Sequence, residues 1–184
     1  IPNEYDRLIS KYGGSGLNAG TSYDLTVYFN EFSPQYFNQW AEVNSERLLN
    51  PVFRLFQSEL ETVYEEKNMY SDSFGNTALE KGLERFFAPH PYAYPVVGST
   101  ENLKNPKLSE MRKFFQDYYV AGNMGLLLSG DFNTEEVMSV LESTFGRVRA
   151  GEAPVRHAAE PAVFNGREKF DIKIPLPVIK ARVI

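Results

Sequence analysis

The feature that most constrains the fold is a long helical pattern from about Arg54 to Phe87, weakened around Ser73-Phe-Gly75-Asn76 and ended by Pro89-His-Pro91. Proline lacks the amide and the φ freedom that a helix interior requires. The stretch from Ser58 to Met69 within it is acidic, and Glu59 and Glu66 stand seven positions apart. That is about two turns, so both carboxylates project from one face. Such a face is either solvated surface with i,i+4 pairing or part of a metal site. A catalytic zinc normally takes histidine as well. The chain has two histidines, His90 between prolines and His157 in a linker-like stretch, and neither sits in a metal-ligand spacing.

Around this pattern the periodicities alternate. Asn3 to Tyr12 reads as an amphipathic helix with Tyr5, Leu8, Ile9 and Tyr12 on one side, stopped by Gly13-Gly14. A turn-rich segment follows, and then Leu25-Thr-Val-Tyr-Phe29 alternates with strand period. Ser33-Pro34 supplies an N-cap and a first-turn proline for a helix to about Leu49, packing through Phe37, Trp40, Val43 and Leu48. Tyr94-Pro-Val-Val-Gly98 reads as a turn, and Pro106 to Tyr119 as a helix presenting Leu108, Met111, Phe114, Phe115 and Tyr118. Met124 to Gly130 reads as a short buried strand. Asn133-Thr-Glu-Glu136 resembles a capping box that opens a helix ending at Phe145-Gly146, with Val137, Val140, Leu141 and Phe145 as its apolar stripe. Arg149 to Gly166 reads as a linker, Phe170 to Ile174 as a strand and Leu176 to Ile184 as another. This order, without a βαβ rhythm, predicts an α+β fold: an antiparallel or mixed sheet with flanking helices.

With 42% hydrophobic and 14% aromatic residues, 184 residues suffice for one or two packed domains. A net charge of −5 with scattered Lys and Arg gives no electrostatic footprint for nucleic acid or an anionic membrane surface. The absence of cysteine excludes disulfides and thiolate chemistry. No apolar run approaches the ~18 residues of a membrane span, and no basic-then-apolar signal segment is present.

Gly14-Ser-Gly16-Leu-Asn-Ala19 formally satisfies the relaxed dinucleotide pattern G-x-G-x-x-G/A. Its context rejects that use. The fingerprint needs a strand before it and a helix after it, so that pyrophosphate meets a helix N-terminus, whereas here the order is reversed. The remaining reading is a flexible helix-to-strand turn.

The order of these features carries a resemblance. Asn3-Glu-Tyr5, Gly13-Gly-Ser-Gly-Leu-Asn-Ala-Gly-Thr-Ser22, Thr26-Val-Tyr-Phe29, Glu59-x6-Glu66, His90-Pro-Tyr92 with Pro95 and Gly98, Leu103, Phe115, Tyr118-Tyr119, Asn123-Met124 and Ser129-Gly-Asp131 follow one another as in the pitrilysin/insulinase family of zinc metallopeptidases. Members carry an inverted H-x-x-E-H motif. The resemblance covers nearly the whole chain and implies a half-molecule like those of pitrilysin and the mitochondrial processing peptidases. On this basis the chain is one truncated α+β domain, with a metal-site portion over 1–100, a helix-strand-helix portion over 101–150 and a linker with a terminal strand over 151–184.

In that family two histidines of the motif and a downstream glutamate hold zinc, and the motif glutamate activates water. The resemblance assigns the downstream ligand to Glu66 and a supporting role to Glu59, which would orient a metal-binding histidine. Glu65 is the competing ligand; the seven-residue spacing favours Glu66. Asn18 and Ala19 would lie beside the substrate backbone, where an extended peptide can add to a sheet edge. No H-x-x-E-H occurs in these residues, and the family spacing would put it shortly upstream of Ile1. The chain alone is therefore expected to bind zinc weakly and to be inactive in isolation. The implied partners are a peptide substrate and a second half-molecule or partner subunit. The parent is expected in bacterial cytoplasm or periplasm. Three readings follow: a fragment of a zinc endopeptidase, a catalytically silent subunit of the same family, or an unrelated α+β binding module whose glutamates are surface charge.

Overall fold

The computed structural model describes residues 3–152, 154–155, 160, 163, 166–167, 169–171 and 173. In chain order it contains helix α1 (Glu4–Lys11), strands β1 (Ser15–Thr21) and β2 (Thr26–Glu31), and helices α2 (Phe37–Leu49), α3 (Phe56–Ser71), α4 (Phe74–Phe87), α5 (Thr100–Lys104), α6 (Leu108–Tyr118) and α7 (Thr134–Thr144). The fold class is α+β, as expected. The chain divides into two compact units. One comprises Ile1–Arg54 and Lys107–Arg156, and the other Leu55–Pro106 and His157–Ile184.

In the first unit α1 stops where Gly13 takes φ +68°, and the Gly13 and Gly14 amides donate to the carbonyls of Ser10 and Ile9 at 3.1 and 2.8 Å. A β-carbon at Gly14 would stand 2.8 Å from the Ile9 carbonyl oxygen, so the reversal needs glycine there. The chain then enters β1, which pairs antiparallel with β2; Asn18 faces Phe29, Ala19 faces Tyr28 and Gly20 faces Val27. The expected turn over 13–22 is thus largely a strand. Its glycines and polar residues score poorly as strand formers, and pairing with β2 overrides that preference.

The core of this unit is Ile9, Trp40 and Ala41, with Tyr5, Phe32, Phe37, Val43, Val140 and Phe145 packed against it. Phe32 stacks on Trp40 at 4.5 Å, and Phe145 from beyond α7 reaches the same indole at 6.0 Å. Each large side chain buried this way stabilises the fold by about 1.5–3 kcal/mol, and Trp40 is the α2 side chain at the centre of the stack. Met124 to Gly130 carries no strand, a correction to the buried strand expected there. Leu127 is 92% exposed, and the sheet among the described residues is the β1–β2 hairpin alone. An apolar run becomes a strand only with a neighbour to pair with. On α6 only Leu108 and Phe115 of the expected apolar face are half-buried; Met111, Phe114 and Tyr118 are exposed.

In the second unit the single long helix expected over Arg54 to Phe87 is two helices. Ser73 is extended at φ −85°, ψ 120°, and the break is held by the Thr77 hydroxyl donating to the Ser71 carbonyl at 2.9 Å and the Asn76 amide donating to the Tyr70 carbonyl at 3.3 Å. Short polar side chains that bond nearby backbone favour such breaks over continuous helix. Phe170, Asp171 and Lys173 carry no strand; Ile172, Ile174 and the expected strand from Leu176 to Ile184 lie outside the described residues.

Candidate functional site

Glu59 and Glu66 both lie within α3, with no break between them, so the two-turn spacing puts their carboxylates on one face. Both are exposed, and among the described residues neither carboxylate takes a hydrogen bond or an ion pair. Glu65 is exposed as well. Lys67, one residue on, is turned by about 100° and is buried at 5% exposure. Its ammonium donates to Glu80 of α4 at 2.6 Å and lies 5.8 Å from the Tyr70 ring centroid. α3 packs on α4 through Lys67 and also meets α5, and both glutamates stay exposed.

Within the same unit His90 is half-buried in a loop. Its Nδ1 accepts the Tyr92 amide at 3.2 Å, and its ring packs edge-on to Tyr92 with centroids 4.6 Å apart. One ring nitrogen is thus used in the turn, which makes His90 a loop-packing residue. His157 lies outside the described residues. No group of three or more His, Cys, Asp or Glu among the described residues could hold a metal. A single open glutamate face does not make the four-coordinate shell that zinc takes.

Asn18 and Ala19 lie in the other unit, adjacent on β1. Both are exposed, and the Asn18 side-chain oxygen accepts the Ala19 amide at 2.8 Å. Ala19's partner across the ladder is Tyr28, whose hydroxyl lies 2.7 Å from that of Tyr119. Burial and this hydroxyl contact push the Tyr119 phenol well above the ordinary tyrosine range. The Arg47 guanidinium sits 3.9 Å from the Tyr5 ring centroid and 5.3 Å from that of Tyr28. Tyr5 is itself pushed up by burial, an effect opposed by Arg47. Nothing in the sequence marks these residues as a group, because Tyr28 and Tyr119 are 91 positions apart.

A family model described as "Peptidase M16 inactive domain" matches residues 107–179, beginning at the residue where the chain re-enters the first unit. The zinc protease PqqE of Helicobacter pylori is 30% identical over 148 residues, which is 77% of this chain and 32% of that protein. A solved structure of a protease from Helicobacter pylori superposes with a TM-score of 0.72 at 27% identity, covering 88% of this chain and 38% of the other. The periplasmic protease PqqL of Escherichia coli gives a TM-score of 0.75 at 21% identity over 89% of this chain and 19% of its own, a likeness of fold. This chain spans about a third of the length of PqqE.

Proposed function

We propose that this chain, which belongs to the pitrilysin/insulinase (M16) family of peptidases, supplies a metal-ligand helix and a substrate-facing hairpin to a zinc metalloendopeptidase cleaving peptides or unfolded segments. The observation that carries the reading is α3: Glu59 and Glu66 share one open face at the family's spacing, while the neighbouring Lys67 is taken up by packing. In this reading Glu66 gives one oxygen to the metal, and Glu59 orients a histidine ligand from outside these residues. Zinc, when bound, polarises water and the scissile carbonyl. The described residues do not complete its shell, so the histidines and the general base are contributed by the rest of the protein, and this chain alone is inactive.

The hairpin has the other task. An extended peptide would add to the edge of β1 at Asn18 and Ala19, with the Asn18 side chain turning away from the Ala19 amide it now covers. The whole chain is then one α+β piece of the peptidase, with 1–100 as its metal-site portion, and a second half-molecule or partner subunit closes over the peptide. A bacterial periplasm or cytoplasm suits such an enzyme, and the description of PqqL as periplasmic supports the first of these.

Zinc content of the complete encoded protein tests the reading. Stoichiometric zinc that is lost in Glu66→Gln and retained in Glu65→Gln, with circular dichroism unchanged, is the expected outcome. Glu59→Gln should weaken zinc affinity by about 10–100-fold. Zinc retained in Glu66→Gln would sink the assignment. The "inactive domain" description of the family model favours a second reading, a non-catalytic subunit of the same family; in that case the complete protein holds no zinc and cleaves no peptide.

A further inference from the structure

We infer that Tyr28, Tyr119 and Arg47 are positioning residues for the peptide substrate, clamping β2 onto the helices of its unit and so fixing the neighbouring strand edge at Asn18 and Ala19. The inference rests on the proposed function of that edge.

A two-stranded hairpin is marginal by itself, so the position of β1 depends on what the side chains of β2 grip. Two grips are present on one face of β2, two residues apart. Asn30 accepts the Trp40 indole N–H at 3.3 Å, which ties the base of the hairpin to the core. Tyr28 reaches Tyr119, just past the end of α6, hydroxyl to hydroxyl at 2.7 Å. Tyr28 is directly across from Ala19.

Each partner of Tyr28 is itself held. The Tyr119 ring stacks on Phe115 with centroids 4.6 Å apart and planes 14° from parallel, and Phe115 meets Phe53 edge-on at 5.9 Å. Arg47, from α2, lies over the rings of both Tyr5 and Tyr28, 3.9 and 5.3 Å from their centroids. The Tyr5 hydroxyl donates to Asn44 at 2.6 Å, and the Asn44 amide donates to the Trp40 carbonyl at 2.8 Å. Tyr28 remains 51% exposed, so its burial does not account for this arrangement; its hydroxyl is committed although water is available. The opposite face of the strand carries Val27 and Phe29, which are 41% and 53% exposed. Beyond Tyr28 lie the ladder itself, the 3.4 Å contact of Thr21 with Thr26 and the Ser22 amide donating to the Leu25 carbonyl at 2.8 Å. The Tyr28–Tyr119 contact thus ties the strand pair to the end of α6 at the level of the proposed substrate edge.

The test uses the complete encoded protein and a quenched fluorescent peptide. Tyr119→Phe keeps the ring on Phe115 and removes one hydroxyl. The expected result is a KM about fivefold higher with kcat unchanged, the pattern of lost substrate binding. Tyr28→Phe should match it, and the double variant should be no worse than either, since both remove one interaction. Arg47→Lys, which keeps the charge but not the planar stacking, should raise KM less. A merely structural role would lower the active fraction, and hence apparent kcat, with KM unmoved; that result, or unchanged KM in both tyrosine variants, would overturn the inference. Hydrogen–deuterium exchange on the complete encoded protein supplies a readout free of catalysis. Amides of residues 17–21 should exchange faster in Tyr119→Phe while those of α7 do not change, and equal rates would also overturn it. If the unsubstituted protein neither cleaves nor binds peptide, the proposed function fails and this role with it; if it cleaves normally and KM does not respond, only the positioning role fails.

Discussion

Lys67 and Glu66 are neighbours in sequence with opposite fates. The Lys67 ammonium is desolvated against Glu80, whose side chain is 22% exposed, and the 2.6 Å contact is what makes the burial of that charge tolerable. Lys67→Met would leave the Glu80 carboxylate half-desolvated without its cation. The expected cost is about 1–3 kcal/mol, measured as a lower urea midpoint at unchanged slope. Replacing both partners, Lys67→Met with Glu80→Leu, should recover most of that loss, since an apolar pair of similar volume needs no compensation. A double variant as unstable as the single one would show that the packing of the lysine stem, and not its charge, carries the effect. At this scale the glutamate pair was legible because helical period alone puts positions seven apart on one face. The tyrosine pair was not, because only the fold brings residues 28 and 119 together.

Among the elements, α7 agrees most closely with its sequence. Asn133 takes an extended conformation, and its side-chain oxygen accepts the amides of Glu135 and Glu136 at 2.9 and 3.3 Å, with both glutamates in the positive first turn. Asn133→Ala should destabilise by about 1 kcal/mol, and Asn133→Asp should be nearly neutral, both read by chemical denaturation. An alanine variant as stable as the parent would mean that water caps those amides equally well. Stripe and stop are local signals, which is why α1, α2, α6 and α7 could be read from the chain; the cap expected at Ser33 does not form, and α2 begins only at Phe37, after a turn of 3-10 helix over Pro34–Tyr36. Strands depend on partners that local pattern does not name. β1 is polar and glycine-rich yet paired, while Met124 to Gly130 is apolar yet unpaired among the described residues. The α3–α4 break was legible as a weak point at Ser73, but propensity alone did not decide between a bend and two helices.

Across the whole molecule, the buried apolar residues among those described are Ile9, Trp40, Ala41, Ala93, Val120 and Val137, and no large side chain is wholly buried. Ordinary domains of about 150 residues bury close to 70% of the surface their unfolded chains expose. Here Val27, Phe29, Met111, Phe114, Leu126 and Leu127, all in one unit, are exposed. Exposed apolar side chains, together with a hairpin whose outer edges pair with no described residue, invite strand pairing and association. The isolated chain should therefore self-associate: its weight-average sedimentation coefficient should rise with concentration at fixed salt. Val27→Lys with Leu127→Lys should shift it toward monomer, because each places a charge where an intermolecular contact would have to desolvate it. High salt should not dissolve the association, since apolar burial is not screened as ion pairs are. A monomer at every concentration would show that these side chains are scattered too widely to form a cohesive surface. The complete protein, in which the rest of the fold can cover the same residues, should lack the concentration dependence seen with the isolated chain.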